Sequence, residues 1–288
     1  MAVGERIKSL RKQLGISQKE LCKGICTQAF ISKLENDNIS PSGELLWQLA
    51  QRLGVQLDYL IASSFDERYD YSEEVLKQLQ KAARKRDYQT IRNIIITEEK
   101  NPYFKSRHRR ILLWFRGIYV YYLQKNFKLA ISYLDEALAL SKNTSLIYDN
   151  INLQILISKA IFYSESKHFE ISFRLYEEAI HIIKTLPISI ENESIIKLYY
   201  NYAIALRETG MYKKSNSYLE KGIQYGKEHH SFFALGDMYY YIARNYEALS
   251  EKSIVTKMYY NKAIMVYELT DNEKMLQTTK QRINEIQP

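Results

Sequence analysis

The sequence predicts an all-α protein, and three observations carry that prediction. Glycine and proline are scarce, at 10 and 4 among 288 residues, which leaves too few turn residues for a sandwich or barrel. Apolar residues recur at helical spacing, beginning with Val3, Ile7, Leu10 and Leu14. An aromatic anchor returns at Phe127, Phe169 and Tyr212, 42 and 43 residues apart, with Tyr88 lying 39 before the first. Periods near 40 residues are the mark of a helical solenoid.

Composition narrows the class of protein. Apolar residues make up 46% of the chain, enough for one large or two ordinary cores. Lysine and arginine number 41 against 33 acids, a net charge of +8 that suits a polyanionic partner. The two cysteines, Cys22 and Cys26, are too few for a disulfide framework or a thiolate metal site, and they point to a reducing compartment. The opening stretch MAVGERIKSLRKQL has no apolar signal core, and no run approaches 18 apolar residues. The expectation is a cytoplasmic protein with no membrane segment. His108, His168, His181, His229 and His230 are scattered, and none sits in HExxH, GxSxG or a phosphate loop. Neither catalysis nor a cofactor nor a metal is expected.

The first sixty residues read as a compact helical head. Gly15 stops the first helix. Ser17 is placed to cap a second, with Glu20 three residues on completing a capping box. That helix runs from Gln18 to about Lys23, a turn follows through Gly24-Ile25-Cys26, and Thr27 caps a third from Gln28 to about Asn36. Two short helices around a tight turn form a helix-turn-helix unit. Leu45, Leu46, Leu49, Leu53, Leu57 and Leu60 supply two more helices, with a Ser42 cap and a Gly54 stop. Cys22 reads as a small core residue beside Leu21.

The stretches LRKQLGISQKEL, ISKLEN, LWQLAQRLGV and LDYLI resemble the Cro/C1-type (Xre-like) DNA-binding domain over about Glu5 to Ile61. The resemblance implies that Gln18 and Lys19 meet the phosphate backbone of operator DNA, with Thr27 at the cap of the recognition helix. Gln28, Ala29, Ser32 and Lys33 would then project into the major groove. Glutamine can donate and accept at once, which matches the adenine edge, and lysine matches guanine O6/N7. Arg11, Lys12 and Lys23 add attraction for phosphate.

Residues 1–62 are therefore read as the DNA-binding head, 63–71 as a polar linker (SSFDERYDY) and 72–288 as the repeat domain. QKNFKLAISYLDEALAL, SKHFEISFRLYEEAIHI and TGMYKKSNSYLEKGIQY are successive copies of one half-hairpin. With Trp114, Tyr121, Ala130, Ala137, Ala160, Ala179 and Ala203 in place, the unit resembles the tetratricopeptide repeat. Five units are expected, at about 72–103, 111–144, 153–187, 196–230 and 236–270, followed by a polar capping helix over 271–286. The full expectation is a five-helix head followed by a right-handed α-solenoid.

Such a solenoid has a concave groove lined by the first helix of each pair. Projecting the repeat onto this chain places Lys77, Gln80, Arg84, Arg116, Tyr119, Tyr122, Gln154, Ser158, Lys197, Tyr200, Asn201, Arg207, Tyr240 and Arg244 there. Amides can hold an extended peptide by its backbone, and cations favour carboxylates.

The whole chain is similar to the peptide-sensing regulators of Gram-positive bacteria, the Rgg/Rap/NprR/PlcR group. Within that group ELCKGICTQAFISKLE and KLYYNYAIALRETGMYKKS point to the PlcR-like branch. The resemblance implies a quorum-sensing homodimer that binds operator DNA and a short imported signalling peptide, with Asn201 on the peptide backbone. Two other readings stay open: a phage-type repressor, or a scaffold whose repeats serve only protein contacts.

Overall fold

The computed structural model describes residues 3–36, 39–55, 57–61, 66–102, 104, 108–142, 150–185, 190–250 and 253–285. Among these the regular elements are helices and no strand occurs. The chain divides into two compact units, Met1–Gln80 and Lys81–Pro288.

The first unit contains α1 (Val3–Gln13), α2 (Gln18–Cys22), α3 (Gln28–Glu35), α4 (Gly43–Leu53) and α5 (Leu57–Ile61). The caps fall where the sequence places them. Ser17 Oγ accepts from Glu20 N at 3.2 Å, while Ser17 N donates to Glu20 Oε2 at 2.7 Å. Thr27 and Ser42 accept from Phe30 N and Leu45 N. Gly54 ends α4 in the left-handed region, at φ 71°. Every one of the five helices contributes to a single core, through Ile7, Leu21, Ile31, Leu34, Leu49 and Leu60. Each such burial stabilises by about 1.5–3 kcal/mol. Leu14 departs from its expected place in the first stripe. The helix ends at Gln13 and Gly15 turns the chain at φ 67°, so the Leu14 side chain stays outside.

Helix α6 (Asp66–Arg84) starts inside the stretch read as a linker and crosses the boundary between the units. That stretch is polar, but it contains no glycine or proline after Ser64, and polarity alone does not break a helix. Linker residues 63–65 lie outside the described residues.

The second unit continues with α7 (Tyr88–Glu98), α8 (Arg109–Gln124), α9 (Phe127–Lys142), α10 (Asn150–Glu165) and α11 (Phe169–Thr185). It ends with α12 (Asn192–Glu208), α13 (Tyr212–Glu228), α14 (Leu235–Ala248), α15 (Ser253–Leu269) and α16 (Glu273–Glu285). The aromatic anchors Tyr88, Phe127, Phe169 and Tyr212 are the first residues of α7, α9, α11 and α13. Helices α8 and α9, α10 and α11, α12 and α13, and α14 and α15 pack as hairpins, and α16 closes the stack against α15. The first helices α8, α10, α12 and α14 also touch in succession, whereas successive second helices come less close. The stack is therefore tighter on the side of the first helices.

Small residues allow the helices of a hairpin to approach. Ala130, Ala137, Ala160, Ala179 and Ala203 are wholly buried. One lock is repeated: Ser172 Oγ donates to Ala160 O at 2.9 Å and Ser215 Oγ to Ala203 O at 2.8 Å, twelve residues back in each case. Helix α10, in the middle of the stack, is buried without a break from Asn152 to Ser158, as a helix enclosed on several sides must be.

The turns inside the hairpins share one geometry. Arg86, Lys125, Lys167, Gly210 and Ser250 take positive φ, between 54° and 79°. A backbone bond of the Schellman type closes the turn at three of them, for example His168 N to Tyr163 O at 2.8 Å. Only one of the five is a glycine, and a side chain in this region costs about 1–2 kcal/mol. Lys125→Gly and Lys167→Gly are each expected to stabilise the repeat unit by about 0.5–1 kcal/mol, after the greater freedom of glycine in the unfolded chain is subtracted. Urea midpoints measure this, and a destabilisation in both variants would refute the account.

Candidate functional site

The head presents α3 on its surface. Ile31, Leu34 and Glu35 point inward, while Gln28, Ala29 and Lys33 are exposed and Ser32 is half-buried. Thr27, exposed before them, has its hydroxyl committed to the cap. Lys19 is exposed on α2, and Lys12 and Lys23 flank it, also exposed. An amide, a cation, a methyl group and a hydroxyl thus share the outer side of one eight-residue helix with cations beside it, a set able to meet base edges and phosphates.

Two features hold this surface in place, and motif reading alone did not disclose either. Glu35, only 2% exposed, receives Arg11 through two bonds, Nε at 2.6 Å and Nη2 at 2.9 Å. Gln18 Nε2 donates to the same carboxylate at 2.9 Å, and Arg11 Nη1 reaches Ile16 O at 3.0 Å. One amide proton of Gln18 is therefore spent inside the unit. Burial pushes the Glu35 carboxyl up, but the hydrogen bonds from Arg11 and Gln18 outweigh it and hold the group below its ordinary value. The second feature is Arg52 of α4, whose two Nη atoms donate to Glu20 O and Lys23 O, both at 2.9 Å. It caps the C-terminal end of α2, where Glu20 O also accepts from Lys23 N at 3.4 Å.

Of the groove residues read from the repeats, Lys77 and Gln80 lie on α6 within the first unit, exposed and half-buried. The others fall in the second unit, and the structure sorts them by burial. Tyr119, Gln154, Ser158 and Tyr240 are buried between helices. Ser158 Oγ accepts from Trp114 Nε1 at 2.9 Å and donates to Gln154 O at 2.8 Å. Tyr240 accepts from Arg244 Nη1 at 3.2 Å, and Arg244 lies 3.2 Å from Glu247. Arg116 pairs with Glu99 at 2.7 Å and covers the Tyr133 ring. Tyr122 stacks on Tyr88 at 4.1 Å and donates to Glu165 at 3.1 Å.

Helix α12 gathers the remaining members. Lys197, Tyr200, Asn201 and Arg207 are all half-buried along it. Asn201 Nδ2 donates to Lys197 O at 2.7 Å, which leaves its carbonyl oxygen and second amide proton for other partners. Tyr200 meets Tyr241 edge-on at 6.0 Å, and the Arg207 guanidinium lies 5.7 Å from the Tyr241 ring centre. Arg207 Nε is buried and finds no hydrogen-bond acceptor among the described residues. Arg84 reaches the start of this helix, 2.5 Å from Glu193 and 3.9 Å from Glu191. Burial lowers the pKa of the Lys197 ammonium, Arg84 lowers it further, and Glu191 acts against both. Gln154 Nε2 touches Glu191 as well, at 3.4 Å. Glu191, Glu193 and Tyr241 were not among the residues read from the sequence. Glu193 lies more than a hundred positions from Arg84, and no local pattern joins the two.

A family model described as the RNPP family C-terminal domain matches residues 76–281, and one described as helix-turn-helix matches 7–60. Bacillus thuringiensis PlcR, solved in complex with the peptide PapR7 and DNA, superposes with a TM-score of 0.80 at 23% identity, over 96% of this chain and 98% of that one. ComR from S. thermophilus, solved with DNA and its signalling peptide ComS, gives 0.63 at 16% identity, over 98% of each chain. The SHP pheromone receptor Rgg2 of Streptococcus dysgalactiae gives 0.65 at 13%, over 98% and 99%. At these identities the likeness is one of fold. No described helix is long and apolar enough to cross a membrane.

Proposed function

The chain belongs to the RNPP family of transcription regulators, and from that premise we propose that it binds operator DNA through α3 and a short signalling peptide along α12. One observation carries the peptide reading. Lys197, Tyr200, Asn201 and Arg207 line a single helix, and Arg207 keeps a buried donor unpartnered. A buried donor without an acceptor costs about 1–3 kcal/mol, which a ligand carbonyl or carboxylate would recover. The half-used amide of Asn201 suits a peptide backbone, and the cations suit a carboxylate. Arg84 is held by Glu191 and Glu193, so an anionic ligand would compete with the protein's own acids for it. The peptide controls DNA binding only if it prefers one arrangement of the repeats over another. The homologues solved with peptide and DNA support this reading without naming the ligand of this chain.

The test has two arms. The full chain is passed over fragmented genomic DNA and the retained duplexes are recovered. Gln28→Ala combined with Lys33→Ala is expected to weaken their retention by about a hundredfold at fixed salt, since each base contact is worth about 1–3 kcal/mol. Equal retention would remove α3 as the reading element. Pooled synthetic heptapeptides are then screened for a rise in melting temperature, which mass action requires of any tight ligand. Asn201→Ala should abolish the rise produced by each hit. A pool without effect would leave the chain as a repressor whose repeats only join proteins.

A further inference from the structure

The chain's two cysteines flank the turn between α2 and α3. Both thiols are free, Cys22 buried at the end of α2 and Cys26 half-buried one residue before the Thr27 cap. The backbone folds back between them. Ile25 N and Cys26 N both donate to Cys22 O, at 2.9 and 3.0 Å. A turn closed in this way holds its end Cα atoms about 6 Å apart, inside the range of roughly 4.4–6.8 Å that a disulfide spans. The side chains are neighbours too. Burial pushes the Cys26 thiol above its ordinary value, and the nearby Cys22 adds to that rise.

Little opposes a bond between them. Cys22 Sγ donates to Lys19 O at 3.4 Å, a weak bond that rotation of one side chain releases. Gly24 sits at the bend at φ 74°, and nothing beyond its chain neighbours lies within 4 Å of the place a Cβ would take. The turn therefore has room to tighten. Arg52 holds Glu20 O and Lys23 O on the α2 side, so the adjustment falls on Cys26 and the start of α3.

We propose that Cys22 and Cys26 form a dithiol modification site, closed to a disulfide by exchange with a low-molecular-weight disulfide, and that closure weakens DNA binding by displacing α3. The second half rests on α3 as the DNA-contacting helix, and the first half does not. Cys26, the more exposed, gives its proton to water, and its thiolate attacks one sulfur of the reagent and releases the other half as a thiolate. Cys22, deprotonated in turn, attacks the Cys26 sulfur of the mixed disulfide and releases the second half. Two electrons pass to the reagent, which takes up two protons and ends as two thiols. Closure pulls on the residue before Thr27, whose hydroxyl accepts from Phe30 N, and so shifts Gln28 behind it.

The full chain is equilibrated with mixtures of reduced and oxidised glutathione, quenched with acid, digested and weighed. Equilibrium is needed because a thiol held above its ordinary value attacks slowly. The peptide carrying both cysteines should lose the mass of two hydrogen atoms. Retention of DNA should fall at least about tenfold over the same mixtures, the worth of one base contact, and return with dithiothreitol. Cys26→Ser should keep the retention of the reduced wild type in every mixture. Cys22→Ala should stop at a glutathione adduct on Cys26. Unchanged masses, a glutathione adduct left on the wild type or a disulfide joining two chains would overturn the site. A closed disulfide with unchanged retention would overturn its effect on DNA. Failure of the α3 reading shows separately, as equal retention by the Gln28→Ala, Lys33→Ala variant, and the masses still decide the site.

Discussion

Arg11→Met is expected to destabilise the DNA-binding unit by about 3 kcal/mol, because it leaves Glu35 ionised, buried and held only by Gln18. Replacing the arginine removes its two bonds to the carboxylate and the one to Ile16 O. The consequence should be local. In hydrogen exchange of the full chain, α2 and α3 should open about a hundredfold more readily, while helices α8 to α15 keep their protection. Retention of DNA should fall with it, since α3 carries both Glu35 and the exposed residues proposed to read DNA. Unchanged exchange in α2 and α3 would show that the network is dispensable. The same network sets a pH dependence. The Glu35 carboxyl is held below its ordinary value, so its contribution is complete above the unfolded carboxylate range, near about 4.3. It is lost as the pH falls through the lower folded value.

Gly236→Ala is expected to destabilise the repeat unit by about 2 kcal/mol, although alanine is the better helix former. A methyl group at Gly236 in α14 would lie 2.6, 2.9 and 3.2 Å from three atoms of the Tyr267 ring. That ring cannot step aside easily. Tyr267 is 2% exposed, and its hydroxyl donates to Asp237 at 2.7 Å, the residue next to the glycine. Overpacking against a fixed ring must therefore move α14 away from α15. The melting midpoint should fall by about 5 °C. Gly222→Ala is the control. There the added methyl would lie 2.7 Å from the sulfur of Met238, the flexible end of a side chain, and the loss should be small. Equal midpoints for the two variants would contradict the packing argument.

These two cases show where sequence reading stops. Gly236 sits inside a helix, and nothing in its neighbours announces an aromatic ring 31 positions later. Glu35 looks like an ordinary polar residue near a helix end, and only the fold brings it beneath Arg11. The groove list divides for the same reason. Lys197, Tyr200, Asn201 and Arg207 come together because a helical period places them on one helix, which the sequence states directly. Ser158 and Gln154 have the same period, but neighbouring first helices enclose α10 and use their polar atoms. Helix α6 shows the opposite limit: its start is polar and still helical, because polarity alone does not break a helix.

What the sequence determined by itself is whatever depends on short range. The caps at Ser17, Thr27 and Ser42, the stop at Gly54, the hairpin period near 40 and the aromatic start of α7, α9, α11 and α13 are all local patterns, and they define an all-α chain with a helix-turn-helix head and a repeat array. What only the tertiary structure decided is which polar groups meet across distance: Arg11 with Glu35, Arg52 with the end of α2, and Arg84 with Glu193. The physical reason is that helix formation is driven by neighbours three or four residues apart, whereas burial and pairing are set by whichever distant helix packs alongside.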